Sequence, residues 1–160
     1  MRINSLTKEQ FIAELGGIFE HSPWVAERAW PSRPFGSIEK LSACMNSAVS
    51  AASHEEQLAL LRAHPDLGTR AQVSPSSAAE QAGAGLDRLT QDEHEKLLQL
   101  NEAYKLKFAF PFLYAVKGST KHQILEALET RLASTPEAEF RTALEQVFRI
   151  ARFRLEELLK

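Results

Sequence analysis

The residues best placed to do chemistry in this chain are His64-Pro65-Asp66, with Glu80 sixteen positions further on. Histidine has the side chain whose ordinary pKa lies nearest neutrality, so it can give or take a proton at neutral pH. His64 closes the apolar run carrying Leu58, Leu60 and Leu61, and Pro65 biases it out of helical backbone toward an extended one. The imidazole is therefore expected at a helix C-terminus, on a bend. Two readings remain open there. His64 is a helix-ending residue whose charged form the helix dipole favours, or it is a general acid/base that the same dipole helps to hold a proton. Glu80 also has two readings. Ser77-x-x-Glu80 has the form of a capping box, and on spacing alone a cap is favoured over an acid/base partner.

The last predicted helix supplies a cation. Stepping by about 100° per residue from Phe140 places Leu144, Val147, Ala151, Leu155 and Leu158 on one apolar stripe. Arg154 falls inside that sector, Arg152 on its flank and Arg149 on the far side. An arginine on a core-facing stripe keeps its charge and needs an anionic or hydrogen-bonding partner. That partner is an internal Asp or Glu, or the carboxylate or oxyanion of a ligand; a guanidinium that snorkels outward is the third option. No metal site is read from the chain. There is no HExxH and no Cys/His cluster, and His21, His54, His94 and His122 lack ligand spacing. Cys44 sits within a helical stretch as a small core residue.

The elements that must position these groups all read as helices. Thr7-Lys-Glu-Gln10 opens one, running to about Glu20, and Ser22-Pro23 reads as an N-cap followed by proline at the first helical position. Ser37 caps a helix holding Ile38, Leu41, Met45 and Val49. Ser53-His-Glu-Glu56 opens the helix that ends at His64. A loop follows, then a short helix capped by Ser77 and broken by Gly83 and Gly85. The Ser/Ala/Gly-rich stretch 74–85 is the one compositional shift, a mobile loop or a ligand loop. Thr90-Gln-Asp-Glu93 opens a long helix through Phe108, and 108–116, split by Pro111, reads as buried and irregular. Further helices are expected over about 119–134 and from Pro136 to about 159. No period-two segment suggests a strand.

With 160 residues, 44% apolar and 25% charged, the chain fits one domain spanning 1–160, all-α, a bundle of about eight helices. A net charge of −2 argues against broad attraction to nucleic acid or an acidic membrane. One cysteine allows no intrachain disulfide and fits a reducing compartment. No apolar run approaches a membrane span, and neither a signal peptide nor a peroxisomal address is read, so a cytoplasmic location is expected.

Taken together, the motifs resemble the OHCU decarboxylase family, enzymes acting on 2-oxo-4-hydroxy-4-carboxy-5-ureidoimidazoline in urate breakdown. The matching stretches are Phe19-Glu-His-Ser-Pro-Trp24 with Ala26-Glu-Arg-Ala-Trp30, Arg33-Pro-Phe35, His64-Pro-Asp-Leu-Gly68, Ser77-Ala-Ala-Glu-Gln81 with Ala84-Gly-Leu86, Tyr104 through Phe112, and Ile150-Ala-Arg-Phe-Arg-Leu155. The resemblance implies an all-helical, cofactor-free homodimer that turns OHCU into (S)-allantoin and carbon dioxide. It implies catalytic roles for His64 and Glu80, and substrate contacts at Ser77, Gln81 and Pro65. Its arginine maps to the IARFRL segment, where the helical phase selects Arg154 over Arg152. Phe110 joins the substrate-binding set, since Pro111 leaves nearby backbone groups available to a ligand. Family members often carry glycine where this chain has Ala109.

Two other classes are compatible with parts of the chain. J-domain-like cochaperones also carry His-Pro-Asp after a helix, but that helix is typically basic, whereas this one carries Glu55 and Glu56 with Arg62 its only basic residue besides histidine. A non-catalytic helical interaction module is the second.

Overall fold

A computed structural model describes residues 1–68 and 74–160. Part of the loop expected after Pro65, residues 69–73, lies outside the described residues. Among those described there are eight α-helices, two short 3-10 helices and no strand. The helices are α1 (Lys8–Leu15), α2 (Trp24–Ala29), α3 (Ile38–Ser50), α4 (His54–Arg62), α5 (Pro75–Gly83), α6 (Gln91–Phe108), α7 (Lys121–Arg131) and α8 (Pro136–Leu158).

Capping chemistry sets most of the starts. Thr7, Ser53, Thr90 and Thr120 each accept a hydrogen bond from the backbone N–H three residues on, and a Gln or Glu side chain there returns one. Ser37 accepts from the Lys40 N–H. Three sequence expectations need correction. α1 stops at Leu15 rather than near Glu20, where Gly16 and Gly17 weaken the helix. Ser22 does not cap α2; Pro23 holds that position and the Ser22 hydroxyl donates to the Glu20 carbonyl. α5 begins earlier than expected, with Ser74 as its cap and Pro75 at its first position, so 74–83 is neither a mobile loop nor a helix opened by Ser77.

The chain divides into two compact units, Met1–Ala63 with Phe148–Lys160, and His64–Val147. In the first, α2 packs against α1 and α3. Phe11 stacks on Phe35 at 5.8 Å and meets Trp30 at 5.3 Å. Asn4 clamps the backbone of Phe35 with two bonds of 2.8 Å.

In the second unit α6 packs against α7. Tyr104 is surrounded by Phe108, Phe110 and Phe112 at centroid distances of 4.6, 5.9 and 5.4 Å. Its hydroxyl donates to Glu139 Oε1 at 2.5 Å, and Arg131 Nε donates to the same oxygen at 2.5 Å. Arg131 also donates to the Leu113 carbonyl and lies over the Phe112 ring. Burial, then the bond to Glu139, pushes the Tyr104 pKa far up, so the phenol stays a donor. This cluster fixes the irregular segment 109–116, whose Ala115 N–H is further held by Gln146 at 2.9 Å. As expected, the segment is mostly buried.

Arg131 is the only cation in contact with the fully buried Glu139 among the described ion pairs. Arg131→Met should therefore destabilise the protein by about 3–5 kcal/mol, because it strands a buried carboxylate; urea unfolding measures this, and a loss below about 1 kcal/mol would contradict it.

Acid should act elsewhere. The bond from Arg28, aided by the Ser53 cap, lowers Glu56 from 4.5 to about 2. The bond from Lys121, aided by Thr90, lowers Glu93 from 4.5 to about 2. Both folded values lie below the unfolded one, so this stabilisation is complete above about pH 4.5 and is lost as pH falls toward 2. Thermal melts should fall across that window, and Glu93→Gln should flatten the fall.

Candidate functional site

α4 ends at Arg62, Ala63 is its C-cap, and His64 begins a bend. The expected placement of His64 just past a helix C-terminus holds, and the residue is buried at 7% exposure. The next residues are tied down one by one within the second unit. Asp66 Oδ2 pairs with Lys105 Nζ at 2.7 Å. The Leu67 carbonyl accepts from Asn101 Nδ2 at 3.0 Å, and the Gly68 N–H donates to Gln81 Oε1 at 2.9 Å. Gly68 has φ +83°, a backbone conformation that favours glycine, and a Cβ there would lie 2.5 Å from Leu97 Cδ2, so that side chain would have to shift.

The bond from Gly68 to Gln81 seats the histidine turn on α5. On that helix Ser77, Glu80 and Gln81 are spaced i, i+3, i+4 and share one face. Ser77 and Gln81 are buried and Glu80 is half-buried. The capping-box reading of Glu80 is overturned. Ser74 is the cap, its hydroxyl accepting from the Ser77 N–H at 3.1 Å, so Ser77 is not the cap and Glu80 lies well inside the helix. Pro65 is half-buried in the turn, and Phe110 is buried against Tyr104 and Phe140.

Arg154 belongs to the other unit. It is buried at 7% exposure, Arg152 is half-buried and Arg149 is exposed, as the helical phase required. Leu158, placed on the apolar stripe, is instead exposed at the fraying end of α8. Arg154 NH1 donates to Glu20 Oε1 at 2.9 Å and reaches the Gly17 and Ile18 carbonyls at 3.4 Å. An internal acidic partner was one of the options open to it. Arg152 bonds Glu156 and Glu39 at the surface.

Sequence reasoning missed Glu20, Asn101 and Lys105. Asn101 had a signal: it interrupts the buried stripe Leu97, Asn101, Tyr104, Phe108 of α6. Lys105 follows it by one turn. Glu20 had none, since it lies past the end of α1. Cys44 is half-buried rather than core. Among the described residues no group of three or more His, Cys, Asp and Glu could hold a metal ion, and no helix is long and apolar enough to cross a membrane. A groove of about 490 Å³ beside Gly68, lined by Leu86, Leu89, Gln91 and His94 among others, includes none of the site residues expected from sequence.

An all-helical fold that ties the turn after a buried histidine to a carboxylate-bearing helix defines the class, and comparison with known proteins narrows it. A family model described as OHCU decarboxylase matches residues 4–156, and the chain belongs to that family. The 2-oxo-4-hydroxy-4-carboxy-5-ureidoimidazoline decarboxylase of Haloferax volcanii is 49% identical over 156 residues, 98% of this chain and 93% of its own length. A crystal structure of (S)-allantoin synthase superposes with TM-score 0.81 and 37% identity, covering 98% of this chain and 52% of that one. A crystal structure of OHCU decarboxylase in the presence of (S)-allantoin shares the fold at TM-score 0.75 and 22% identity, covering 96% and 98%. A J-domain is not supported.

Ala109 ends α6 in the left-handed region at φ 66°, ψ 19°. That conformation costs an L-residue about 1–2 kcal/mol, against which glycine's extra unfolded-state entropy is smaller. Ala109→Gly should stabilise the fold by about 1 kcal/mol. A lower melting temperature for this variant would show that the left-handed backbone carries no such penalty.

Proposed function

We infer that this protein decarboxylates OHCU to (S)-allantoin and carbon dioxide, with His64 and Glu80 as its acid/base groups. The observation that carries the site reading is the Gly68–Gln81 bond, which ties the His64 turn to the helix bearing Glu80. The bond to the departing carboxylate lies next to a carbon–nitrogen double bond of the substrate, and that bond accepts the electron pair. Carbon dioxide leaves, the ring nitrogen takes up a proton, the ring hydroxyl gives up its own as it becomes a carbonyl, and a proton is added to one face of the ureido-bearing ring carbon, a net uptake of one proton. The chain's part is to orient the carboxylate, stabilise the moving charge and deliver that proton. His64 and Glu80 are suited to proton delivery, and Ser77, Gln81, Pro65 and the backbone at Phe110 to holding the ring and ureido group. Arg154 is assigned to the substrate's anionic part, on the family resemblance and on its burial. No cofactor enters this scheme. A cytoplasmic homodimer belongs to the same reading, and light scattering tests the oligomer.

The test generates OHCU in situ from urate and follows optical activity. Spontaneous decay gives a racemate, so turnover appears as a growing circular dichroism signal of (S)-allantoin. His64→Ala should lose about 10²–10⁴ in rate while staying folded, since His64 lies past the end of α4 rather than within a helix. Glu80→Gln should also fold and lose turnover; full activity would leave Glu80 a structural residue.

The two arginines separate in the same assay. Lysine keeps the charge but loses the planar fork. Arg154→Lys should impair turnover strongly and weaken thermal protection by allantoin, whereas Arg152→Lys should leave most of both. The reverse ranking would move the assignment to Arg152.

A further inference from the structure

Asn101 lies on the buried face of α6 at 3% exposure. Its Nδ2 donates to the Leu67 carbonyl, while its Oδ1 is buried without a hydrogen-bond partner. The amide cannot be turned over, because that would set Oδ1 against the Leu67 oxygen, acceptor on acceptor. An unpaired buried acceptor carries a desolvation penalty that an apolar residue of similar size avoids. The donor side of this amide must therefore be the reason for its presence.

That donor holds the middle of three consecutive residues. Asp66 on one side is fixed by Lys105, and Gly68 on the other by Gln81. The Asp66–Lys105 pair is part-exposed, so water and salt can stand in for it. The Asn101–Leu67 bond is buried, and nothing replaces it. We propose that Asn101 is a positioning residue for the reaction: it locks the turn so that the His64 imidazole, three residues upstream, keeps its place relative to α5. The proposal rests on the reading of His64 as an acid/base group.

Two variants test it with in situ OHCU. Asn101→Leu keeps the volume and removes the donor. It should lower kcat by about 10²-fold and leave KM within about threefold. Asn101→Asp keeps the shape, but a carboxylate cannot donate to Leu67, whereas the protonated acid can. Its kcat relative to wild type should therefore rise as pH falls. Melting curves establish that each variant is folded, and the Asp variant decides the matter if the Leu variant does not fold. A packing role predicts neither effect, so wild-type kcat in folded Asn101→Leu, or a pH-independent Asn101→Asp ratio, overturns the proposal. If the wild type itself makes no optically active allantoin, the functional reading has failed. The His64 imidazole NMR signals then judge the positioning claim alone: displaced signals in Asn101→Leu or Asn101→Asp support it, and unchanged ones refute it.

Discussion

The turn from His64 to Gly68 is the constraint on which the candidate site depends. A proline-containing bend between two helices has no backbone ladder of its own, so its shape must come from side chains. Here each of three successive residues makes one bond, with Lys105, Asn101 and Gln81 in turn. Two of these side chains lie one turn apart on α6, and the third is the neighbour of Glu80 on α5. The turn beside the histidine is thus held by helices that are themselves fixed by N-caps and burial, with a full capping box on α6.

The second irregular segment, 109–116, solves the same problem with a different set of groups. Pro111 removes one donor and Ala109 turns the chain left-handed, so regular pairing is impossible there. The Glu139 carboxylate gathers Tyr104 and Arg131, and Arg131 reaches on to the Leu113 carbonyl. A buried ion pair is weak evidence for net stability, since desolvation opposes it. Its visible effect is specific: it selects one path for a chain segment that has no helical or sheet pattern to follow. The aromatic rings of Phe110 and Phe112 pack on Tyr104 along that path.

What could be read from the sequence divides along physical lines. Helix starts were legible at Thr7, Ser37, Ser53 and Thr90, because a cap is a short-range pattern written in adjacent residues. The burial of Arg154 was legible because a 23-residue helix gives a long phase to count along. Glu80 was misread for the same reason that caps are easy to find: Ser77-x-x-Glu80 fits the pattern, but Ser74-Pro75 three residues earlier fits a helix start better. The partners of the turn were not legible. Lys105 is thirty-nine positions from Asp66 and Asn101 thirty-four from Leu67, and no local rule links such distances.

Family membership and the local structure account for different things at this site. Family membership says which reaction to look for, and it covers nearly the whole chain. It does not say why a histidine two residues beyond a helix end should keep a fixed position. That follows from the turn. A decarboxylation whose substrate provides its own electron sink asks the protein mainly for placement of groups, and placement is lost with small shifts of backbone. A scaffold for such a reaction is expected to spend buried polar groups on holding a loop, even where an apolar side chain would pack with less penalty. The unpaired oxygen of Asn101, beside the bond that fixes Leu67, is that arrangement in this protein.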